Sequence, residues 1–372
     1  MSNAINVKCE SPVYKWPKVF LDVGSGSVKI KKVEFANQEG WKIVSEVSLP
    51  IGHQQCLEES NLSHHKVGEL SDACIADGLS QIAEGLRLID ANCKDIPCIG
   101  IATAWARAAK NTDVYIDSIK TKFNILVIVL SHAQEAAFGW LSAMSSLTKL
   151  KPNIDPGKII IWDIGGGSFQ QVAIKSSDLN STNLKGILAD PKRTLHTNLE
   201  RWGSVNFAHE LYQHLGITNT SRLLVKDEVD KAIVYARDKF SSLNSTNIAN
   251  LLRQNLDMQV YAIGEFMNKG FLPFNIVSES MTRDWAYFFR ATFRNNSPET
   301  LCTSLQSLNP VYDCSNLKMI ETNLLLITAI MDGLGIKLVH FLQVTDGEVL
   351  DYMFEQLVAL SADLYNHPGM VS

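Results

Sequence analysis

The chain has 372 residues, 46% of them hydrophobic, with 34 Lys and Arg against 39 Asp and Glu for a net charge of −5. That length exceeds one ordinary core and fits about two domains of a globular protein. The acidic balance excludes a general affinity for nucleic acid, and the longest apolar run, Leu324 to Met331, is too short to cross a bilayer.

Val19–Val23, Val28–Phe35 and Trp41–Val47 read as three successive strands opening an antiparallel meander. The polar stretch from Pro50 to Val67 reads as a surface loop that leaves His64 and His65 solvated. Ile75, Leu79, Ile82, Leu86 and Ile89 recur at helical spacing and predict a helix over Glu69–Ile89. A strand at Cys98–Thr103, a helix from Asp113 to Phe123, a strand at Ile125–Leu130 and a helix at Gln134–Leu147 complete an α/β lobe. Leu150 to Gly157, with its two prolines, reads as a linker. Beyond it come strands at Ile159–Ile164 and through Ile174, a polar loop at Ser176–Leu184, and a strand at Arg193–Asn198. Ser204 is a candidate N-cap for the next helix. Helices at Lys226–Ser242 and Glu279–Phe293, and a strand at Gln259–Gly264, precede a loop at Arg294–Lys318. Helices at Met319–Leu342 and Gly347–Leu364 close the chain. The expected domains are 1–148, 149–345 and a C-terminal helix in 346–372 that packs back on the first. Seven cysteines (Cys9, Cys56, Cys74, Cys93, Cys98, Cys302, Cys314) show no disulfide rhythm and no zinc spacing. They read as buried reduced thiols. With no apolar leader in the first residues, the location reads as cytoplasmic.

One phrase occurs twice. Asp22-Val23-Gly24-Ser25-Gly26-Ser27 and Asp163-Ile164-Gly165-Gly166-Gly167-Ser168 each put an acid at the end of an apolar strand, then a glycine turn, then another strand. An acid there is costly unless a cation or hydrogen-bond donor meets it, and glycine lets backbone N–H groups approach an anion. The pair predicts two similar lobes facing each other across a polyphosphate and its metal ion. It is neither a dinucleotide fingerprint nor a Walker loop, because a strand rather than a helix follows each turn.

On these residues the chain resembles the exopolyphosphatase/guanosine pentaphosphate phosphatase (Ppx/GppA) family. LDVGSGSVKI is similar to the family's first phosphate motif, ATAWARAAKN to its second block with Arg107 as the arginine, LSHAQEAAFGW to the block that carries its catalytic glutamate, here Glu135, and IIIWDIGGGS to its third motif. The resemblance implies an α/β fold of two actin-like (ribonuclease H-like) domains. Each would hold a mixed five-stranded-type sheet with helices, and the active site would lie in the interdomain cleft. It implies a hydrolase that removes a terminal phosphate from polyphosphate or pppGpp, with Mg²⁺ (or Mn²⁺) as cofactor. Glu135 and Arg107 would be catalytic, and Asp22 and Asp163 would hold the metal. Asp22, Gly24, Ser25, Gly26, Ser27, Gly165, Gly166, Gly167, Ser168, Gln170 and Gly264 would bind phosphate. The chain departs from the family at Gln170, which replaces a glutamate, at His132, and after Gly264, where the later glycine turn is lost.

Two further readings follow from the departures. Glu135, Phe138, Gly139 and Trp140, with the Gly-Gly-x-Ser-x-Gln turn ending in Gln170, resemble the nucleoside triphosphate diphosphohydrolases (apyrases) of the same superfold. Cysteines read as unpaired, and a cytoplasmic location, weigh against that reading. A polyphosphate or (p)ppGpp sensor that binds without turnover is the third. The expected partners are polyphosphate, pppGpp or a nucleoside triphosphate, with no nucleic acid, no membrane, and a homodimer left open.

Overall fold

A computed structural model describes residues 17–36, 40–63, 67–175, 190–200, 202–218, 222–264, 280–308, 314 and 317–342. Chain contacts divide it into two compact units, the first holding the described residues up to Ile154 together with Asp190 and Pro191, and the second the other described residues from Asp155. His64, His65, the loop at 176–184 and the expected helix at 347–364 lie outside the described residues.

The first unit opens with β1 (Lys18–Val23), β2 (Ser27–Ala36) and β3 (Gly40–Pro50), the expected meander. It continues through α1 (His53–Ser63), α2 (Asp72–Leu88), β4 (Cys98–Ala102), α3 (Ala104–Ala108), α4 (Thr112–Phe123), β5 (Leu126–Val129) and α5 (His132–Leu150). The sheet order is β3-β2-β1-β4-β5, with β1 antiparallel to β2 and parallel to β4. Val19, Leu21 and Val23 of β1 and Val28 and Ile30 of β2 form a core with Ile82 and Leu86 of α2 and with Trp105, Tyr115 and Ile119.

The second unit repeats the plan. Its elements are β6 (Ile159–Ile164), β7 (Phe169–Ile174), the single turn α6 (Pro191–Thr194), β8 (Leu195–Glu200), α7 (Ser204–His214), α8 (Lys226–Phe240) and α9 (Asn247–Gln254). There follow β9 (Gln259–Ile263), β10 (Ser280–Thr282), α10 (Arg283–Asn295), α11 (Pro298–Leu308), α12 (Leu317–Leu334) and β11 (Leu338–Phe341). The sheet runs β8-β7-β6-β9-β11-β10. It is the first sheet's order with the three-residue β10 added at one edge, so this unit has six strands, one more than expected. Leu324, Leu325, Leu326, Ile327, Ile330 and Met331 of α12 are all buried, as a helix that is apolar all round requires. Among the described residues no helix is long and apolar enough to cross a membrane.

Several expectations are corrected. The loop expected over 50–67 contains α1; its sequence lacks an apolar stripe, and tertiary contacts at Ile51, His53, Gln54 and Leu57, all buried, hold it. The loop expected over 294–318 contains α11. Its start was written in the chain as Ser297-Pro298-Glu299, where the Ser297 hydroxyl accepts from Thr300 N at 3.2 Å. The helix expected to run to Leu342 stops at Leu334 because Gly335 takes φ +74°, and the chain re-enters the sheet as β11. Ser204 is the first helical residue of α7, and Gly203 is its cap.

The cysteines are also corrected. Cys56–Cys74, Cys93–Cys98 and Cys302–Cys314 are disulfides, and Cys9 lies outside the described residues. The first ties α1 to the opening turn of α2, a proximity that only the folded chain creates. The reading of these six cysteines as reduced thiols is thereby overturned.

Candidate functional site

Central strands β1 and β6 show the same burial. Every residue is buried except one, and that one is Asp22 in β1 and Asp163 in β6. Each strand then enters a four-residue turn closed by the same bond. Gly24 N donates to Ser27 O, and Gly165 N to Ser168 O, both at 2.9 Å. The repeated phrase is thus a repeated structure, one copy per unit.

In the first unit Asp22 stands across from Lys29 in the β1–β2 pairing. The Lys29 Nζ lies 3.7 Å from Asp22 Oδ2. Lys29 was missed in the sequence, and the tight turn that sets the register was the signal for it. Arg107, on α3, donates to the Leu130 carbonyl at 2.8 Å. Its second nitrogen lies 2.8 Å from Glu135 Oε2, with both side chains mostly buried. The structure therefore brings together the two residues expected to be catalytic. Glu135 owes its place to a capping box. Gln134 N donates to the Ser131 hydroxyl at 3.3 Å, and Ser131 N to Gln134 Oε1 at 3.0 Å, which starts α5 at His132 and puts the glutamate in its first turn. Arg107 is carried by a helix tied to the first turn, because Trp105 Nε1 donates to the Val23 carbonyl at 2.6 Å. The Lys-Asn end of the same block has a structural job: Asn111 exchanges two hydrogen bonds with the Leu70 backbone, each 2.9 Å.

In the second unit Asp163 stands across from Gln170 in the β6–β7 pairing, so both side chains face one side of the sheet. Gln170 is 1% exposed. Its Nε2 donates to the Ser168 hydroxyl at 2.9 Å, which leaves the serine proton to be donated elsewhere. Its Oε1 is buried and accepts no hydrogen bond. Gly264 ends β9 beside Asp163: at φ +102°, a Cβ there would lie 2.8 Å from Asp163 Oδ1. Gly203 packs against the triple glycine so closely that a Cβ would fall 2.3 Å from the Gly166 carbonyl carbon. Gly203→Ala must displace backbone. It is expected to destabilise the second unit by about 1–3 kcal/mol, read as a lowered urea midpoint.

Two atoms test whether this site suits a divalent metal. Among the described residues no cluster of three His, Cys, Asp or Glu exists. Mg²⁺, however, takes few protein oxygens and keeps its waters, and amide oxygens are accepted donors to such hard cations. The Asp163 carboxylate and the orphaned Gln170 Oε1, on one face, are that kind of donor set.

Residues 67–187 match the model of the Ppx/GppA phosphatase family, a span that includes Arg107, Glu135, Asp163 and the second turn. An exopolyphosphatase-like protein of known structure is 14% identical, with TM-score 0.63 over 92% of this chain and 99% of its own. An exopolyphosphatase from Cytophaga hutchinsonii is 13% identical, with TM-score 0.62 over 91% and 98%. A Ppx/GppA family member from Aquifex aeolicus is 15% identical, with TM-score 0.61 over 92% and 98%. These likenesses show a shared two-domain α/β fold, as expected. No curated protein matches the chain significantly.

Proposed function

We propose, for a chain that carries a Ppx/GppA phosphatase family segment on that family's fold, that it hydrolyses phosphoanhydrides, releasing terminal phosphate from polyphosphate or pppGpp. The observation that supports this best is the Arg107–Glu135 pair at 2.8 Å inside the matched segment. A guanidinium binds phosphoryl oxygens through paired N–H groups, and a carboxylate beside it can take a proton from attacking water.

On this reading the glycine turn of each unit contacts phosphate. The first unit supplies the Gly24–Ser27 turn, Arg107 and Glu135; the second supplies the Gly165–Ser168 turn, Ser168 and Gln170. As phosphoryl oxygens draw Arg107 onto themselves, Glu135 gives up its ion-pair partner and becomes the stronger base. The turn amides and the Ser168 hydroxyl take charge developing on the non-bridging oxygens. Asp163 with Gln170 would hold Mg²⁺ or Mn²⁺, which when bound neutralises phosphate charge. At Asp22 the cation in place is Lys29.

A nucleoside triphosphate diphosphohydrolase is the second reading. Gln170, buried across from Asp163, favours it, and the disulfides remove the objection from unpaired cysteines. Phosphate release measured with tripolyphosphate, long-chain polyphosphate, pppGpp, ATP and ADP separates the two. Turnover of the first three supports the leading reading, and turnover of ATP and ADP alone replaces it with the second. Saturable binding without release leaves a sensor.

A further inference from the structure

We infer that His53 and Asn206 are positioning residues, a matched pair that holds the two glycine turns with their amides presented to phosphate. The inference rests on the phosphate-binding reading of those turns and adds how each is kept in shape.

A trans peptide is planar, so the carbonyl of one residue points opposite to the N–H of the next. Fixing three successive carbonyls therefore fixes the direction of three successive N–H groups. In the first turn the carbonyls of Gly24, Ser25 and Gly26 are all taken by the segment entering α1. His53 Nδ1 meets Gly24 O at 3.4 Å, Gln54 N donates to Ser25 O at 3.1 Å, and Ile51 N donates to Gly26 O at 3.1 Å. In the second turn the segment entering α7 does the same. Ser204 N donates to Gly165 O and Val205 N to Gly166 O, both at 2.9 Å, and Asn206 Nδ2 donates to Gly167 O at 3.2 Å. The first unit thus uses two backbone amides and one side chain, and the second adds longer bonds from Asn206 N to Gly166 O at 3.4 Å and from the Ser204 hydroxyl to Gly165 O at 3.5 Å. By the same planarity the N–H groups of residues 25–27 and of 166–168 point away from the segments entering α1 and α7.

Glycine makes this necessary. A glycine-rich turn has many accessible backbone states, and an amide directed at an anion is effective only if it is already oriented when the anion arrives. His53 is suited to the task. It is 1% exposed and lies between Trp105, with ring centroids 4.6 Å apart, and Tyr115, 5.0 Å apart. Bonding to a carbonyl requires the proton on Nδ1, the tautomer that a neutral, buried ring can keep. The mechanism described above makes no use of either side chain.

The test is binding of inorganic tripolyphosphate to the full chain with Mg²⁺, by calorimetry, beside urea midpoints. His53→Phe fills the pocket but removes the donor, and Asn206→Leu removes the donor in the second turn. Each is expected to weaken binding about tenfold, the value of one hydrogen bond. His53→Asn leaves a void yet can place an amide N–H near Gly24 O, so it is expected to bind within about threefold of wild type although it is the less stable variant. A purely structural role orders affinity by stability and gives the reverse. Wild-type affinity in His53→Phe, or affinities of the two His53 variants that follow their urea midpoints, overturns the inference. Wild-type binding reports on the underlying reading: if the unaltered chain shows no saturable binding of tripolyphosphate with Mg²⁺, the turns are not a phosphate site, and the inference falls with that reading.

Discussion

Glu135→Gln is expected to lower phosphate release by about two to four orders of magnitude, the share of rate that a positioned general base supplies, while tripolyphosphate still binds. The choice of glutamine matters. Glu135 is 2.8 Å from the Arg107 guanidinium, and deleting the side chain would strand a mostly buried cation, confusing lost chemistry with lost structure. Glutamine keeps an oxygen for Arg107 to donate to and removes only the ability to accept a proton. A fall in kcat with KM nearly unchanged is therefore the expected signature. Arg107→Lys should behave differently. It keeps the charge but loses the fork that serves the Leu130 carbonyl and Glu135 together, so KM rises as well as kcat falling. Full turnover in Glu135→Gln would remove this residue from the mechanism and leave the Arg107–Glu135 pair a structural tie.

What could be read from the chain was what local chemistry dictates. Asp22 and Asp163, each followed by a glycine turn, announced the two hairpins, and both occupy the partly exposed position of an otherwise buried strand. Glu135 could be placed because a helix had to start near Gln134, although the Ser131–Gln134 capping box shows that it starts two residues sooner. The rest needed three dimensions. Lys29 becomes a site residue only through its register opposite Asp22. His53 sits in a polar stretch with no helical stripe, and its role depends on a turn 29 residues away. The Cys56–Cys74 pair spans 18 residues and requires α1 and α2 to be side by side. Gly335 was the legible sign that went unread: a glycine after Leu334 stops a helix and frees Leu338–Phe341 to pair with β9.

Raising the pH should strengthen one unit and weaken the other, because each buries a titratable group of opposite sense. Burial lowers the His53 pKa from 6.5 to about 4, against smaller opposing effects of the Gly24 carbonyl and Asp77. Between those values the unfolded chain holds a proton that the folded chain lacks. The first unit therefore gains stability as pH rises from about 4 to 6.5 and keeps it above. Glu321, 3% exposed on α12, is displaced the other way. Burial raises its pKa from 4.5 to about 7, although the Leu224 N–H opposes the rise. Here the folded chain holds the proton that the unfolded chain has released, so the second unit is most stable below pH 4.5 and loses stability as pH rises toward 7. Each change amounts to about 3–4 kcal/mol at most, because a tenfold difference in proton affinity between the folded and unfolded chain is worth about 1.4 kcal/mol. The two nearly cancel in a signal averaged over the chain, so the two halves must be followed separately. Hydrogen exchange, corrected for its intrinsic pH dependence and followed on peptides of α2 and of α12, is expected to show opposite trends between pH 4.5 and 6.5. Glu321→Gln keeps an oxygen for Leu224 N but cannot ionise, so its stability relative to wild type should grow with pH and level off above 7. A difference that stays constant from pH 4.5 to 8 would mean that Glu321 ionises in the folded chain as readily as in the unfolded one, so that burial does not raise its pKa.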